Sequence, residues 1–325
     1  MRGDASKAVA VAADIGGTQM RAALVSADGE VLTRDTIHTN PDDGIEVAAN
    51  RLADLVESIS SAHSSDRKPV GMGISTAGPI DPSTGIYKNP PNLQAWDEKS
   101  MKPTLGARLG IPIHVGHDAT LAAFAETRFG PHKGSRNLLY VTISTGVGGG
   151  IIANGEMVTG SEGHAGEVGH VTVLPGAQSC NVGCDGCFEG NASGPAISRL
   201  ALGRIDAGET SSLMKLAGDD RAKITSKLVF QAADDGDELA SAVRNHAILA
   251  VGIGLGSLLN IFDPEALVVG GGVTMGLRDR WDEVITSVKA HSLAHFQTNP
   301  PVHITTLGDD VGLLGAAGLA FRHAS

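Results

Sequence analysis

Residues 8–25 read "AVAVAADIGGTQMRAALV": an apolar run of strand character closing on Asp14, a glycine pair and Thr18, then a second apolar run. A strand that ends in glycines presents bare backbone N–H groups, which cradle phosphate oxygens with no side chain in the way. One such pair is more often a tight turn, but the pattern recurs in "VGMGISTAGPID" (70–81), "LLYVTISTGVGGGIIANG" (138–155) and "ALVVGGGVTMG" (266–276). The chain has 43 glycines, clustered rather than spread, and these four clusters fall where strand-like runs end and backbone approaches something closely. Between the clusters, residues 44–63, 119–130 and 237–262 space their apolar positions at helical intervals. Strands alternating with helices predict an α/β fold. The polar piece 207–223 is expected to be a loop or short-helix insertion.

Composition narrows the function classes. A chain of 325 residues, 42% hydrophobic, buries a sizeable core and is long enough for two domains. With 25 basic against 36 acidic residues the net charge is −11, which repels a phosphate backbone, so nucleic acid is not an expected partner. The start, "MRGDASKAVAVAADIGG", has too short an apolar run for a secretory signal, and the run 247–259 is too short for a bilayer span and suits a buried helix. No membrane partner and a cytoplasmic location are expected. Three cysteines within eight residues, an odd number, do not make a disulfide framework.

The glycine clusters match neither the dinucleotide fingerprint nor the P-loop. Asp14, at a strand end, can act on a hydrated Mg²⁺ while Thr18 and the N–H groups of Gly16 and Gly17 take phosphate, and Thr145 and Gly146 offer a second loop to the same triphosphate. Two such loops are the pattern of the actin-like ATPase fold. With that pattern in place, the chain resembles the ROK family of sugar kinases nearly end to end. The residues carrying the resemblance are "DIGGT" (14–18), "STAGPID" (75–81), "NPPNLQAW" (89–96), "HDATLAAFAE" (117–126), "STGVGGGII" (144–152), "HAGEVGH" (164–170), "ASGPAI" (192–197), "NIFDPEALVVGGGV" (260–273) and "LGDDVGLLGAA" (307–317). The resemblance implies a two-lobed, RNase H-like fold around a central cleft. Residues 1–117 and 311–325 are expected to form the smaller lobe, and 118–310 the larger, which carries a cysteine-rich loop at 170–189.

It also implies roles. Asp118 resembles the catalytic base that takes the proton of the sugar's 6-hydroxyl as that oxygen attacks the γ-phosphate of ATP; phosphoryl transfer asks mainly for alignment, charge neutralisation and one such carboxylate. Read alone, an aspartate before "ATLAAFAE" is a helix cap, and the two uses are compatible. The family has asparagine on either side of this position, where this chain has His117 and Thr120. Asn92, Glu167, His170 and Glu189 match positions that bind sugar hydroxyls, with the turn at Gly78 as one wall, and Gly270, Gly271 and Gly272 match the adenosine-side loop.

The family motif C-x-C-G-x-x-G-C-x-E binds a structural Zn²⁺ through three thiolates and the preceding histidine, a donor set that suits tetrahedral zinc. Here Val182 stands where the second cysteine belongs, and Cys184 appears two residues later. The expected ligands are His170, Cys180, Cys184 and Cys187; the alternative is three buried thiols without metal. The function implied is ATP-dependent 6-phosphorylation of a hexose. "ASGPAI" points to glucose, with N-acetylmannosamine, N-acetylglucosamine, fructose and allose open as sugars and polyphosphate open as donor. The family also contains sugar-responsive repressors, which carry a helix-turn-helix ahead of the "DIGGT" strand; thirteen residues precede Asp14 here, so a kinase is expected rather than a repressor. A homodimer is compatible with the resemblance.

Overall fold

Alternation inside the first apolar run decides how the first sheet is packed. In the computed structural model, which describes residues 8–63 and 68–324, strand β1 (Val9–Ile15) turns Val9, Val11, Ala13 and Ile15 toward the helix α1 (Ile45–Ala62), whose Leu52 and Val56 share their core. Its intervening Ala10 and Ala12 face the other way, into a cluster with Ala23, Val25, Leu313, Ala316 and Ala317. Valine and isoleucine fill the wide side of the sheet, and alanine lets a helix lie close on the narrow side.

Strands β2 (Gln19–Ser26) and β3 (Val31–His38) follow β1 as antiparallel neighbours, with Asp14 opposite Arg21 and Ile15 opposite Met20. After α1 come β4 (Met72–Thr76), α2 (Lys102–Leu109), β5 (Ile113–His117) and α3 (Asp118–Arg128). The sheet order is β3-β2-β1-β4-β5, with β4 parallel to β1 and β5 parallel to β4. The chain continues through β6 (Leu138–Ile143), β7 (Val147–Ala153), β8 (Glu156–Met157), α4 (Phe188–Ala192), α5 (Gly194–Asp206), α6 (Leu213–Leu216), α7 (Ser226–Asp234), α8 (Glu238–Phe262), β9 (Ala266–Gly270), α9 (Gly272–Gly276), α10 (Trp281–Ala290), α11 (Ala294–Gln297), β10 (Val302–Ile304) and α12 (Val311–Ala324). The second sheet has the order β10-β9-β6-β7-β8, with β9 parallel to β6 and β10 parallel to β9. Read from β8, this is the same order as the first sheet. The four glycine clusters thus occupy two topological places, each used twice: the β1–β2 and β6–β7 turns, and the ends of β4 and β9.

Two compact units result: Met1–Arg136 with Gly150–Ala165 and Thr306–Ser325, and Asn137–Gly149 with Gly166–Thr305. Residues 1–7 and 325, placed by expectation in the smaller lobe, lie outside the described residues. Helix α3, which the sequence expectation puts in the larger lobe, groups with the first unit. It packs on α12 at backbone distance, so that a Cβ on Gly315 would stand 2.2 Å from the carbonyl oxygen of Leu121. Helix α8, with 25 residues, is long and apolar enough to span a membrane. It instead packs against α4, α5, α7 and α10 inside the second unit, with Leu239, Val243, Ala247, Val251, Leu255 and Leu259 buried. The insertion at 207–223 forms α6 and one short 3₁₀ turn.

Gly73, in the middle of β4, is where α12 comes nearest to the sheet: a Cβ there would lie 1.8 Å from the carbonyl oxygen of Ala316. The obstacle is helix backbone, which cannot rotate away. Gly73→Ala is expected to destabilise the first unit by about 3 kcal/mol, the upper part of the usual overpacking cost; chemical denaturation followed by circular dichroism measures it, and an unchanged midpoint would contradict the close packing.

Candidate active site

In the first unit the phosphate-type turn is a hairpin closed by Gly16 N–H donating to Gln19 O at 2.9 Å. Thr39 braces it from β3's end: its N–H donates to Thr18 O at 2.9 Å and its hydroxyl to Gly16 O at 2.6 Å. Asp14, next to last in β1, makes a 2.5 Å ion pair with Arg21, directly across the hairpin. Asn92 packs on this turn, since a Cβ on Gly17 would meet the Asn92 Cβ at 3.3 Å. Its loop is anchored by Trp96, fully buried, whose indole N–H donates to Pro41 O at 3.1 Å and whose ring meets Tyr87 edge-on at 5.5 Å. Burial pushes the Tyr87 phenol well above its usual range, against the opposing effect of its bond to Thr76.

Asp118 is the first residue of α3, with His117 at the cap position; its Oδ1 accepts the Ala119 N–H at 2.6 Å. The carboxylate both starts the helix and remains 45% exposed. His117 Nε2 stands 3.4 Å from Asp118 Oδ1, and the same edge of the imidazole fills the space where Gly78 lacks a side chain, its Cδ2 2.8 Å from where a Cβ would be. Asp14, Gly16, Gly17, Thr18 and Asn92 thus form one group, and Gly78, His117 and Asp118 another, at the ends of three adjacent strands, β1, β4 and β5.

In the second unit, Ser144 N–H donates to Gly146 O at 2.8 Å, closing the turn that carries Thr145. Glu189, near the start of α4, reaches this turn: its Oε2 accepts the Val147 N–H at 3.0 Å and lies 2.7 Å from where a Cβ on Gly146 would stand. The "ASGPAI" motif has a physical use here. Ser193 caps α5 through the Ala196 N–H, and Gly194 N–H donates to Ser144 O at 2.8 Å, tying α5 to the same turn. Gly270 ends β9, and Gly272 opens α9 beside a cavity of about 460 Å³ lined by Ser226, Lys227, Phe230, Gln231, Asp234 and Met275 among others. Sequence reasoning missed those α7 residues, because nothing in their spacing separates a pocket wall from an ordinary amphipathic face.

His170 joins Glu167 to the cysteine loop: Nε2 lies 3.8 Å from Glu167 Oε2, and Nδ1 lies 3.7 Å from Cys180 Sγ. Hydrogen bonds from Val173 and Leu174 N–H to Gly186 O, and from Phe188 N–H to Val171 O, close the loop and bring Cys187 back to His170. The donor atoms of His170, Cys180 and Cys187 all lie within 4.8 Å of one another. Cys184, expected as the fourth ligand, does not join that cluster, and Val182 is 71% exposed. The two-residue displacement moves the thiol along a tight loop. Its carbonyl instead accepts the Cys180 N–H at 3.4 Å. Burial opposes ionisation of Cys180, but backbone N–H groups of the loop and the Cys187 and His170 side chains outweigh it and lower the thiol to about 7. Burial raises Cys184 and Cys187. A low-pKa thiol held beside a second thiol and an imidazole supplies three donors of the kind that fit zinc.

Two five-stranded sheets of one order, each with a glycine turn after its first strand, define the actin-like, RNase H-related class expected from sequence. The ROK family model matches residues 10–323, and the chain belongs to the ROK family. It is 34% identical to the glucokinase of Halalkalibacterium halodurans over 95% of this chain and 94% of that one. Among solved structures, the ROK hexokinase of Thermus thermophilus superposes with a TM-score of 0.82 at 30% identity, covering 97% of this chain and 98% of the other. The ROK glucokinase of Streptomyces griseus, in complex with glucose and AMPPNP, gives 0.80 at 31%, covering 97% and 99%.

The turn that follows Gly78 carries a test of its own. Asp81 accepts hydrogen bonds from the Ser83 and Thr84 hydroxyls and from Ser83 N–H, which lower its carboxyl from 3.8 to about 2. A carboxylate held below its unfolded value contributes stability that is complete above that value and is lost as pH falls through the folded one. Asp81→Ala is therefore expected to lower the melting temperature by a constant amount above about pH 4, with the difference shrinking toward pH 2. Calorimetry of both proteins across that range reads it; a difference that persists undiminished at pH 2 would contradict the bonding.

Proposed function

We propose that this protein transfers the γ-phosphoryl group of ATP to the 6-hydroxyl of a hexose, with glucose as the preferred sugar. The observation that carries the reading is the same in both units: a glycine turn suited to phosphate is packed against a side chain suited to a sugar hydroxyl, Gly17 on Asn92 in one and Gly146 on Glu189 in the other. The near full-length likeness to glucokinases supports the substrate.

In this reading the turns at Gly16–Thr18 and Thr145–Gly146 donate N–H groups to the triphosphate, and the nucleoside lies by Gly270–Gly272, with its base in the cavity beside α7. Mg²⁺ arrives with ATP. Asp14, already paired with Arg21, suits a contact with the cation's water shell rather than direct ligation, because Mg²⁺ keeps several of its waters. Asn92, Glu167, His170 and Glu189 accept or donate to the ring hydroxyls, and Gly78 walls the ring. As O6 attacks, the O6–Pγ bond forms, the bond from Pγ to the bridging oxygen breaks with its electrons going to ADP, and the O6 proton passes to Asp118. His170, Cys180 and Cys187 would hold a structural Zn²⁺, with Cys184, whose thiol meets that of Cys180, to supply the fourth ligand by a shift of the loop. The metal serves the reaction by fixing His170 and, through Cys187 at the cap of α4, Glu189. ATP use and thiols kept reduced suit the cytoplasm.

Coupled measurement of ADP release across glucose, fructose, mannose and the N-acetylhexosamines tests the assignment; release greatest with glucose is expected, and release with none of them would refute a hexose kinase. Asp118→Asn keeps the shape but accepts no proton, so turnover is expected to fall by about three orders of magnitude with glucose binding nearly intact. Retention of more than about a tenth of the turnover would leave Asp118 only its bond to the Ala119 N–H at the start of α3. Elemental analysis is expected to find about one zinc per chain, lost in Cys180→Ser; less than about 0.2 would remove the metal from this account.

A further inference from the structure

A buried amide in α4 has no part in the reaction described above, yet it touches both arms of the cysteine loop. Asn191 is 1% exposed. Its Nδ2 donates to Gln178 O at 2.9 Å and to Cys187 O at 2.8 Å, and its Oδ1 lies 2.9 Å from His246 Nε2 of α8. Carbonyl oxygens only accept, so the amide nitrogen must face them and the amide oxygen must face the histidine. That arrangement fixes the tautomer: Nε2 of His246 carries the proton that Asn191 accepts. Burial pushes the imidazole below its usual range, which favours the neutral ring with its one N–H committed to this bond.

The bonded carbonyls sit where the loop meets the helix. Gln178 is two residues before Cys180, and Cys187 two residues before Glu189, so one side chain joins the arm that carries a thiol to the helix start that carries the carboxylate. Contact there is at backbone distance: a Cβ on Gly190 would stand 2.7 Å from Cys180 N and from Gln178 O. Two further bonds hold the same arm on α5, from Gln178 Nε2 to Ala196 O and from the Arg199 guanidinium to Ser179 O, each at 3.2 Å. Helix α8 backs α4 closely, since the Phe188 ring lies 2.6 Å from where a Cβ on Gly254 would be. The arm bearing Cys180 is thus tied to α4 and α5, and through Asn191 to α8.

We infer that Asn191, oriented by His246, is a positioning residue for Glu189 and His170, closing the two arms of the cysteine loop on the start of α4 and so setting both side chains for the sugar. Through Cys180 the closure reaches His170, whose Nδ1 is 3.7 Å from the thiol. Through α4 it reaches Glu189, which takes the Val147 N–H at 3.0 Å. Removing the amide strips Gln178 O, Cys187 O and the His246 N–H of this partner and lets the arm move off α4.

The inference rests on Glu189 and His170 binding the sugar, and the readouts keep the two apart. Asn191→Leu, His246→Leu and His246→Gln are compared with the wild type, each with excess zinc and again with a chelator. Steady-state kinetics give kcat and the KM values for glucose and ATP, and hydrogen exchange gives the protection of the amides at 178–190. Both leucine variants are expected to raise the glucose KM about tenfold, to leave the ATP KM within about twofold, and to speed exchange in that segment in both buffers. His246→Gln brings an amide N–H to the same oxygen and is expected to stay within about threefold of the wild type. Unchanged exchange in both leucine variants, or a His246→Gln as impaired as His246→Leu, would overturn the inference. So would a defect confined to the chelator buffer, because the metal would then be what closes the loop, and so would equal losses of affinity for glucose and ATP, the mark of a general loss of packing. Should Asn191→Leu fail to fold, the two His246 variants decide by the same readings. Faster exchange with the glucose KM unmoved would support the closure and refute the sugar-binding role of Glu189 and His170.

Discussion

The rest of this structure depends on the distance between α12 and the first sheet. Side chains normally hold a helix about 10 Å from a sheet, but here the contact is backbone on backbone: Gly73 of β4 faces the Ala316 carbonyl, and Gly315 of α12 faces the Leu121 carbonyl. The sequence "VGLLGAAGLA" supplies the small residues on the helix, and Ala10, Ala12 and Ala23 supply them on the strands. Because α12 touches β1, β4 and α3 at once, the ends of those elements are fixed relative to one another. Asp14, the Gly78 turn and Asp118 are those ends.

Polar placement follows from this frame. Asp14 lies against the first turn of α12, where a Cβ on Gly312 would come within 2.7 Å of its Oδ1, and is paired with Arg21 on the other side. A carboxylate so confined keeps its position. In the second unit the equivalent turn is held by different means. Gly194 of α5 ties down Ser144, and Glu189 takes the Val147 N–H, so two helix starts meet one hairpin. The capping of α4 by Cys187 and of α5 by Ser193 therefore links the cysteine loop to the turn through the starts of the two helices.

The departures from the family pattern fall beside the residues that the resemblance singles out. Val182 and Cys184 alter how the cysteine loop is closed, while His170 still bridges Glu167 and Cys180. His117 stands where the family has asparagine, its Nε2 3.4 Å from Asp118 Oδ1.

The α/β class, the helices at 45–62, 118–128 and 238–262 and the four glycine clusters were legible from local pattern, because periodicity and glycine placement are imposed by backbone geometry that neighbours along the chain already determine. Even the alternation of valine and alanine in β1 was present in the sequence, though its meaning was not. What sequence could not decide was which clusters share a place. That depends on sheet order, a long-range property, and it is sheet order that sets the β1–β2 turn and the β6–β7 turn in equivalent positions. The same holds for α3, whose attachment to the first unit follows from glycine contacts with a helix some 190 residues later, and for Cys184, whose thiol meets that of Cys180 without joining the mutual cluster of His170, Cys180 and Cys187. Local spacing states which residue types are on offer; only packing, where backbone meets backbone at fixed distance, decides which of them meet.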